Sequence, residues 1–275
     1  MGSLVTQIVM TRSTYISTNL TEDQISFLRE LDENEILYFS LGDISSRLGQ
    51  PISNLNELVE NLHHKGLLDR IENGEYTRPN YHDAHVLGSF ISRGGVIAYW
   101  TALHQHGLTD RFPNKVFIKT TLRKRNTSIF GTKLQFVTVH PRKMVGIIWE
   151  GYGDKRYPWT DLEATILDCF DQPRYAGDWP DLLRAFHQAN MDGDKLIAYA
   201  KAYDNIAVAK RMGYLAALLE KKELNAFVAF ALSTVRQKYS LFEPGGPDQG
   251  MFNKEWKLRM NVSEQDILDI IQSPY

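Results

Sequence analysis

Glu163 and Asp168, in the run Thr160-Asp161-Leu162-Glu163-Ala164-Thr165-Ile166-Leu167-Asp168-Cys169-Phe170, are the carboxylates with the strongest claim to chemistry. General acid–base catalysis needs groups that converge on one reacting atom. Five residues apart on a helix, these two diverge by well over one face, and no histidine or metal cluster accompanies them. They read instead as groups for capping and internal hydrogen bonding, with Thr160 and Glu163 forming a capping box. Cys169, the single cysteine, reads as a buried and inert thiol. His82 and His85 have the spacing of metal ligands but no accompanying zinc pattern. His104 and His106 would point to different faces of a helix. Gly94-Gly95 lacks the lysine and the serine or threonine of a phosphate loop. No catalytic residue, cofactor or metal is expected, and the chain reads as a non-enzyme.

Charge offers a better lead. From Arg111 to Trp149 the sequence has nine basic residues and no acidic one, whereas the remainder carries 22 basic and 33 acidic residues. Lys115, Lys119, Arg123, Lys124, Arg125, Lys133, Arg142 and Lys143 within this run are expected to form a basic surface facing something acidic. One cysteine fits a reducing compartment, and the apolar cluster Leu4 to Met10 is too short for a signal peptide or a membrane span. A cytoplasmic protein without membrane contact is expected.

The elements that must position these groups begin with Thr21-Glu22-Asp23-Gln24, a capping box ahead of a helix to about Asp32. Glu35 to Phe39 suits a brief strand. Ser40 caps a second helix through Leu48, and Gly49 supplies the sharp reversal of a helix-turn-helix. Ile44 and Leu48 before the turn, with Leu55, Leu58, Val59 and Leu62 after it, fall where that motif needs apolar residues. Ser45 fits the close crossing, Pro51 stops the second helix, and Ser53 is placed to cap the third. Leu67 to Ile71, Asn73-Gly74 and Glu75 to Thr77 then read as a hairpin with a type I′ turn. This is the order of a winged helix-turn-helix. In a DNA-reading role Asn54, Asn56, Glu57 and Asn61 would approach base edges, Arg47, Lys65, Arg70 and Arg78 would contact phosphates, and Ser53 at the start of the third helix would belong to the same surface. Against it, residues 20–80 hold five basic and twelve acidic side chains, and duplex binding depends on phosphate neutralisation. Protein contact or dimerisation is the competing role.

Domains are therefore expected at 20–85 (winged helix-turn-helix) and 86–275, behind an extension at 1–19. The fold class is α+β, the second domain a mixed one with a small antiparallel sheet and a helical carboxy-terminal region. Within it Gly94 to Leu103 reads as a small-residue helix stopped by Gly107. Lys115 to Thr121, Lys133 to Val139 and Lys143 to Trp149 read as strands. Trp179 to Gln188, Lys195 to Tyr203, Ala207 to Leu219 and Leu224 to Tyr239 carry helical spacing, with Lys210-Arg211 on a solvated edge. Leu241 to Gly250 reads as a loop, and Ser263 with Asp266 caps a last helix.

Ala102-Leu103-His104-Gln105-His106-Gly107-Leu108, followed by strands and by Glu163, Thr165 and Asp168, resembles the core of AbiEi-type antitoxins of type IV toxin–antitoxin systems. Trp256 to Asn261 resembles that family's closing strand, and Ala164 stands where the family usually has arginine. The resemblance covers most of residues 20–265. It implies a DNA-binding autoregulator that counteracts a cognate nucleotidyltransferase-type toxin without needing a tight complex. Its partners would be operator DNA and that toxin, and palindromic operators would imply a dimer or a cooperative pair. A stand-alone regulator without a toxin is the alternative.

Overall fold

The computed structural model describes residues 19–273, a mixed α and β chain that divides between His82 and Asp83 into two compact units. Apart from Asn19, the expected extension at 1–19 lies outside the described residues. No helix among the described residues is long and apolar enough to cross a membrane.

The first unit opens with α1 (Glu22–Glu33), where Thr21 and Gln24 each accept the other's backbone N–H. β1 (Tyr38–Ser40) leads directly into α2 (Leu41–Leu48), whose Asp43 N–H is capped by Ser40 Oγ at 3.1 Å. Gly49 ends α2 at φ +62°, and this left-handed step turns the chain into α3 (Ile52–His64). Ser53 does not cap α3. Pro51, with its φ preset at −61°, takes the N-cap position, which puts Ser53 inside the first turn and bonds it to Asn54. β2 (Asp69–Glu72) and β3 (Glu75–Thr77) complete an antiparallel sheet of order β1-β3-β2, with Tyr38 opposite Thr77 and Arg70 opposite Tyr76. Gly74 takes a positive φ of +77° and Asn73 does not, so the turn departs from type I′; a register shift between Arg70 and Glu72 accompanies it. Phe27, Leu31, Phe39, Ile44, Leu55, Val59, Leu62 and Tyr76 close the core beneath.

In the second unit α4 (Ala84–Ile91) precedes β4 (Val96–Ile97), and the expected helix from Gly94 begins only at Tyr99, as α5 (Tyr99–Gln105). The small residues there mark close approach to a strand rather than a helix: a Cβ on Gly95 would meet Ile118 Cγ2 at 2.7 Å. β5 (Val116–Thr120), β6 (Thr127–Ile129), β7 (Thr132–Thr138), β8 (Ile147–Glu150) and β9 (Tyr157–Thr160) join β4 in a sheet of order β6-β7-β5-β4-β9-β8. The sheet is therefore six-stranded and mixed, not small and antiparallel: β5 runs parallel to β7 and β4 to β9. The strand expected from Lys143 to Trp149 begins only at Ile147, and Lys143 ends a tight 3-10 turn of residues 141–143.

α6 (Leu162–Asp171) follows. Its N-cap is Asp161, which accepts the Ala164 N–H at 3.0 Å, while the Thr160 hydroxyl meets that of Thr165 at 2.7 Å. α7 (Trp179–Gln188), α8 (Gly193–Tyr203), α9 (Ile206–Leu218) and α10 (Asn225–Thr234) pack around it. The last of these stops at Thr234, short of the expected Tyr239. β10 (Ser240–Leu241), β11 (Met251–Asn253) and β12 (Leu258–Met260) form a small sheet of order β10-β12-β11 before α11 (Glu264–Gln272).

Two sets of basic residues expected at the surface lie inside. Every residue of β5 is buried, so alternation gives Lys119 no exposed face, and its Nζ lies 2.7 Å from Asp168 Oδ2. The Tyr203 hydroxyl donates to the other oxygen of the same carboxylate. Burial pushes the Asp168 carboxyl up, and the Lys119 ammonium and Tyr203 pull it back down. Lys210 and Arg211, expected on a solvated edge, are also buried. Lys210 Nζ donates to the carbonyls of Lys238 (3.0 Å) and Lys257 (2.9 Å), and Arg211 Nε to that of Leu241 (2.9 Å). These carbonyls lie before, in and beside the small sheet formed by β10 and β12, and they give the two buried cations their hydrogen-bond acceptors.

Removing one member of the Lys119–Asp168 pair strands the other in apolar surroundings. Lys119→Met is expected to lower stability by about 3–5 kcal/mol in urea unfolding, and Lys119→Met with Asp168→Asn to recover most of it. A pH effect follows from Lys210. Burial, with the charges of Arg211 and Lys238, pushes Lys210 down to about 8, against roughly 10.4 in an unfolded chain. From pH 8 upward the unfolded chain thus binds the more protons at this group, whose contribution to stability rises with pH by up to about 1.4 kcal/mol per unit. Above pH 10 tyrosines such as Tyr203, raised by burial, reverse the trend. The buried Cys169 thiol, also pushed up, works against it from about pH 8.5, where an unfolded thiol ionises, so in thermal unfolding between pH 8 and 9.5 the native chain should gain stability relative to Lys210→Met.

Candidate nucleic-acid interface

α3 buries Leu55, Val59 and Leu62 and turns its polar residues outward. Asn54, Asn56 and Glu57 are exposed and Asn61 is half-buried. Asn54, Glu57 and Asn61 fall on one flank, where they line a shallow groove with Asp23, Ser26 and Glu30 of α1; Asn56 lies on the other flank. The groove is acidic; Ser53, Glu57 and His64 form the outward crest of α3, with exposed Asn54 and Asn56 on either side of it. His64 drew no notice in the sequence, where a histidine adds nothing to the charge count.

The basic side chains expected on phosphates are held within the unit. Arg70 pairs with Glu60 and lies over the Tyr76 ring at 5.7 Å. The Tyr76 hydroxyl donates to Glu60, which holds that carboxyl below its ordinary range and, with burial, pushes Tyr76 up to about 12. Arg78 pairs with Asp32. Lys65 Nζ donates to Asn19 O at 2.7 Å and to Gln24 Oε1 at 2.8 Å. Arg47 is exposed on α2. Much of the unit's positive charge is thus neutralised internally.

The acid-free segment of the second unit divides in the same way. Lys119 is buried against Asp168, and Lys143 Nζ lies 2.6 Å from Asp171. Arg142 meets Asp204 at 3.1 Å, and Arg111 meets Asp178 at 2.7 Å and Asp181 at 3.0 Å. Each of these acids lies on or beside α6, α7 or α8. The run of positive charge is therefore in good part the complement of the carboxylates on the helices packed against it. Lys115 is half-buried over Phe117. Arg123, Arg125 and Lys133 remain exposed, beside Lys124 over Phe136, on the β5–β6 loop and the β6–β7 hairpin. They mark one edge of the large sheet.

The family-like motif residues hold the fold together. Glu163 accepts the Asp192 N–H at 2.8 Å and pairs with Lys195 at 2.7 Å, Thr165 donates to Thr160 O, and Asp168 holds Lys119. Lys195 also reaches Asp161 at 2.9 Å. His106 Nε2 donates to Thr160 O at 3.0 Å with its ring 4.4 Å from Trp159, and burial lowers its pKa. His104 faces Thr109 O and Phe112, and His82 meets Asp69 at 2.8 Å. Cys169 is buried. Among the described residues no three His, Cys, Asp or Glu side chains cluster as metal ligands.

No protein-family profile matches the chain, and no curated protein matches its sequence. In fold it is similar to the crystal structure of the Rv2827c protein from Mycobacterium tuberculosis, with a TM-score of 0.61 and 16% identity over 94% of this chain and 97% of that one. At that identity the likeness is one of fold.

The division among the basic residues can be measured. Changing Arg123, Arg125 and Lys133 together to Glu is expected to leave stability within about 0.5 kcal/mol per site. It should also weaken non-specific duplex binding and flatten its salt dependence by roughly one unit of slope for each phosphate no longer neutralised. Lys143→Glu, by contrast, should lower the melting temperature.

Proposed function

We propose that this chain is a DNA-binding transcriptional autoregulator and AbiEi-type antitoxin, acting in the cytoplasm without catalysis. In this reading the first unit is a winged helix-turn-helix with α3 as its recognition helix and the β2–β3 hairpin as its wing. The observation that carries it is the element order α1-β1-α2-α3-β2-β3, with the Gly49 reversal between α2 and α3 and polar side chains on the outer side of α3. The antitoxin assignment is supported by the residues resembling that family, and the absence of catalysis by the engagement of Glu163 and Asp168 in ion pairs.

Asn54 and Asn56 suit adenine and Glu57 suits cytosine, while Arg47 and the amino-terminal turn of α3 meet the backbone. Arg70 and Arg78, held by Glu60 and Asp32, serve first to fix the wing. Arg123, Lys124, Arg125 and Lys133 form a second basic surface, for operator DNA beside the winged helix or for the acidic partner that antitoxin action requires. A regulator acting without a toxin shares the DNA-reading half of this proposal. A nucleotidyltransferase gene adjacent to this one separates the two.

The test pairs a reporter driven by the chain's own upstream region with a toxin-rescue assay. Asn54→Ala or Asn56→Ala is expected to weaken specific operator binding by roughly 5- to 150-fold, equivalent to 1–3 kcal/mol per base contact, and to raise reporter expression. Arg123→Glu with Lys124→Glu and Arg125→Glu should abolish repression or toxin rescue while the chain stays folded. Repression and rescue both unchanged in that triple variant would remove the basic surface from the proposal.

A further inference from the structure

At the sheet edge opposite the basic hairpin, β8 pairs with β9 alone. All four of its residues are exposed: Ile147 and Ile148 at 39%, Trp149 at 53%, and Glu150 beyond them. Tyr152, 78% exposed, follows directly. Glu150 and Asp154 balance Lys155 and Arg156 around this patch, so it lacks the positive charge that a nucleic acid would need. An apolar strand edge of this kind is a template for another strand.

The register of β8 specifies which strand. Ile147 lies opposite Thr160, Ile148 opposite Trp159, Trp149 opposite Pro158 and Glu150 opposite Tyr157. The Asp161 N–H donates to Gly146 O at 2.7 Å, one step further along the same ladder. Hydrogen-bonded and non-bonded pairs alternate in an antiparallel ladder, so Ile148 and Glu150 bond inward to β9. Ile147 and Trp149 therefore turn their N–H and C=O groups to the open edge. Pro158, which has no N–H to offer, sits opposite Trp149 as this alternation requires.

We propose that β8 pairs with β8 of a second copy of this chain, antiparallel about a two-fold axis at Ile148. Only outward-facing residues can bond to one another, and this register sets Ile147 against Trp149 of the other copy at both ends of the axis. It satisfies all four free backbone groups twice over, once in each chain. On one face Ile148 meets its own counterpart in a close, non-bonded pair; on the other Ile147 meets the edge of the Trp149 ring, one side of which Arg156 covers at 4.4 Å. Glu150 falls opposite Gly146, so no like charges face each other. Ile147, Ile148, Trp149 and Tyr152 leave exposed an area on the order of 400 Å² per copy, the size of an interaction patch. Two such patches come to about 800 Å², below the roughly 1,000 Å² that a stable interface clears, which makes this a weak dimer held largely by its backbone ladder. The pairing would join two six-stranded sheets into one and leave the basic hairpins on the outer edges. It does not depend on DNA binding.

The test uses the full chain without DNA. Sedimentation across a micromolar concentration series is expected to give a dimer, and Ile148→Lys, which sets two ammonium groups face to face, a folded monomer by circular dichroism. Ile148→Cys should form an intermolecular disulfide under mild oxidation, because the native Cys169 is buried and position 148 faces itself. Glu150→Cys should not, since it faces Gly146. A monomer at every concentration, or a dimer that survives Ile148→Lys or fails to cross-link at position 148, overturns the proposal.

Discussion

The second unit is built around one buried ion pair, Lys119 with Asp168, completed by the Tyr203 hydroxyl. It joins the central strand β5 to α6 and α8, and so ties the large sheet to the helices beside it. Two charges without solvent hold their place only when each hydrogen-bonding direction is filled. Lys119 meets this with the Asp168 carboxylate and the Lys143 carbonyl at 3.2 Å, and Asp168 with the ammonium and the phenol. Around that pair the remaining polar contacts of α6 repeat the device: Asp171 holds Lys143 and the Asn205 amide, and Glu163 with Asp161 holds Lys195. Lys195 is raised by those two carboxylates, which outweigh the burial opposing them. Fixed in this way, α6 presents its apolar residues to the core, Asp168 to β5, Asp171 to the turn that holds Lys143, and Glu163 to α8.

This arrangement also explains what the sequence conceals. The elements of the first unit were legible because each has a local cause: the Thr21–Gln24 box, the Ser40 cap, the Gly49 reversal, and the spacing of Leu55, Val59 and Leu62. In the second unit the helices α7 to α9 were legible for the same reason. β4 was not, because two residues are too few to show a period, and its neighbouring glycines are small for the sake of β5. The basic run misled in a more instructive way. A stretch without acids suggests a surface, yet Asp168, Asp171, Asp178, Asp181 and Asp204 come to it from helices well removed in sequence, and they neutralise much of it. Lys210 and Arg211 were hidden likewise, since their partners are carbonyls, which no sequence pattern announces. The candidate site was legible in its outline, the outer face of α3, and not in its charges.

The exposed residues of the second unit suit two different working surfaces. One sheet edge carries Arg123, Arg125 and Lys133, beside Lys124 over Phe136; the other, β8, is largely apolar, with Glu150 at its end and Arg156 over the Trp149 ring. The first unit has exposed amides and a carboxylate on α3 and little free positive charge, with Arg70 and Arg78 engaged by Glu60 and Asp32. Base reading there would draw its specificity from few hydrogen bonds, and its affinity would have to come from elsewhere, through the basic edge or through two copies acting together.

The proposal stands or falls on whether this acidic unit takes part in sequence-specific DNA binding. The direct measurement is a mobility-shift titration of the full chain on its own upstream DNA against a scrambled duplex, at two salt concentrations. The account predicts binding that prefers the native sequence at both concentrations and weakens as salt rises. Equal binding to both duplexes, or none even at low salt, would contradict it and leave α3 as a protein-contact surface.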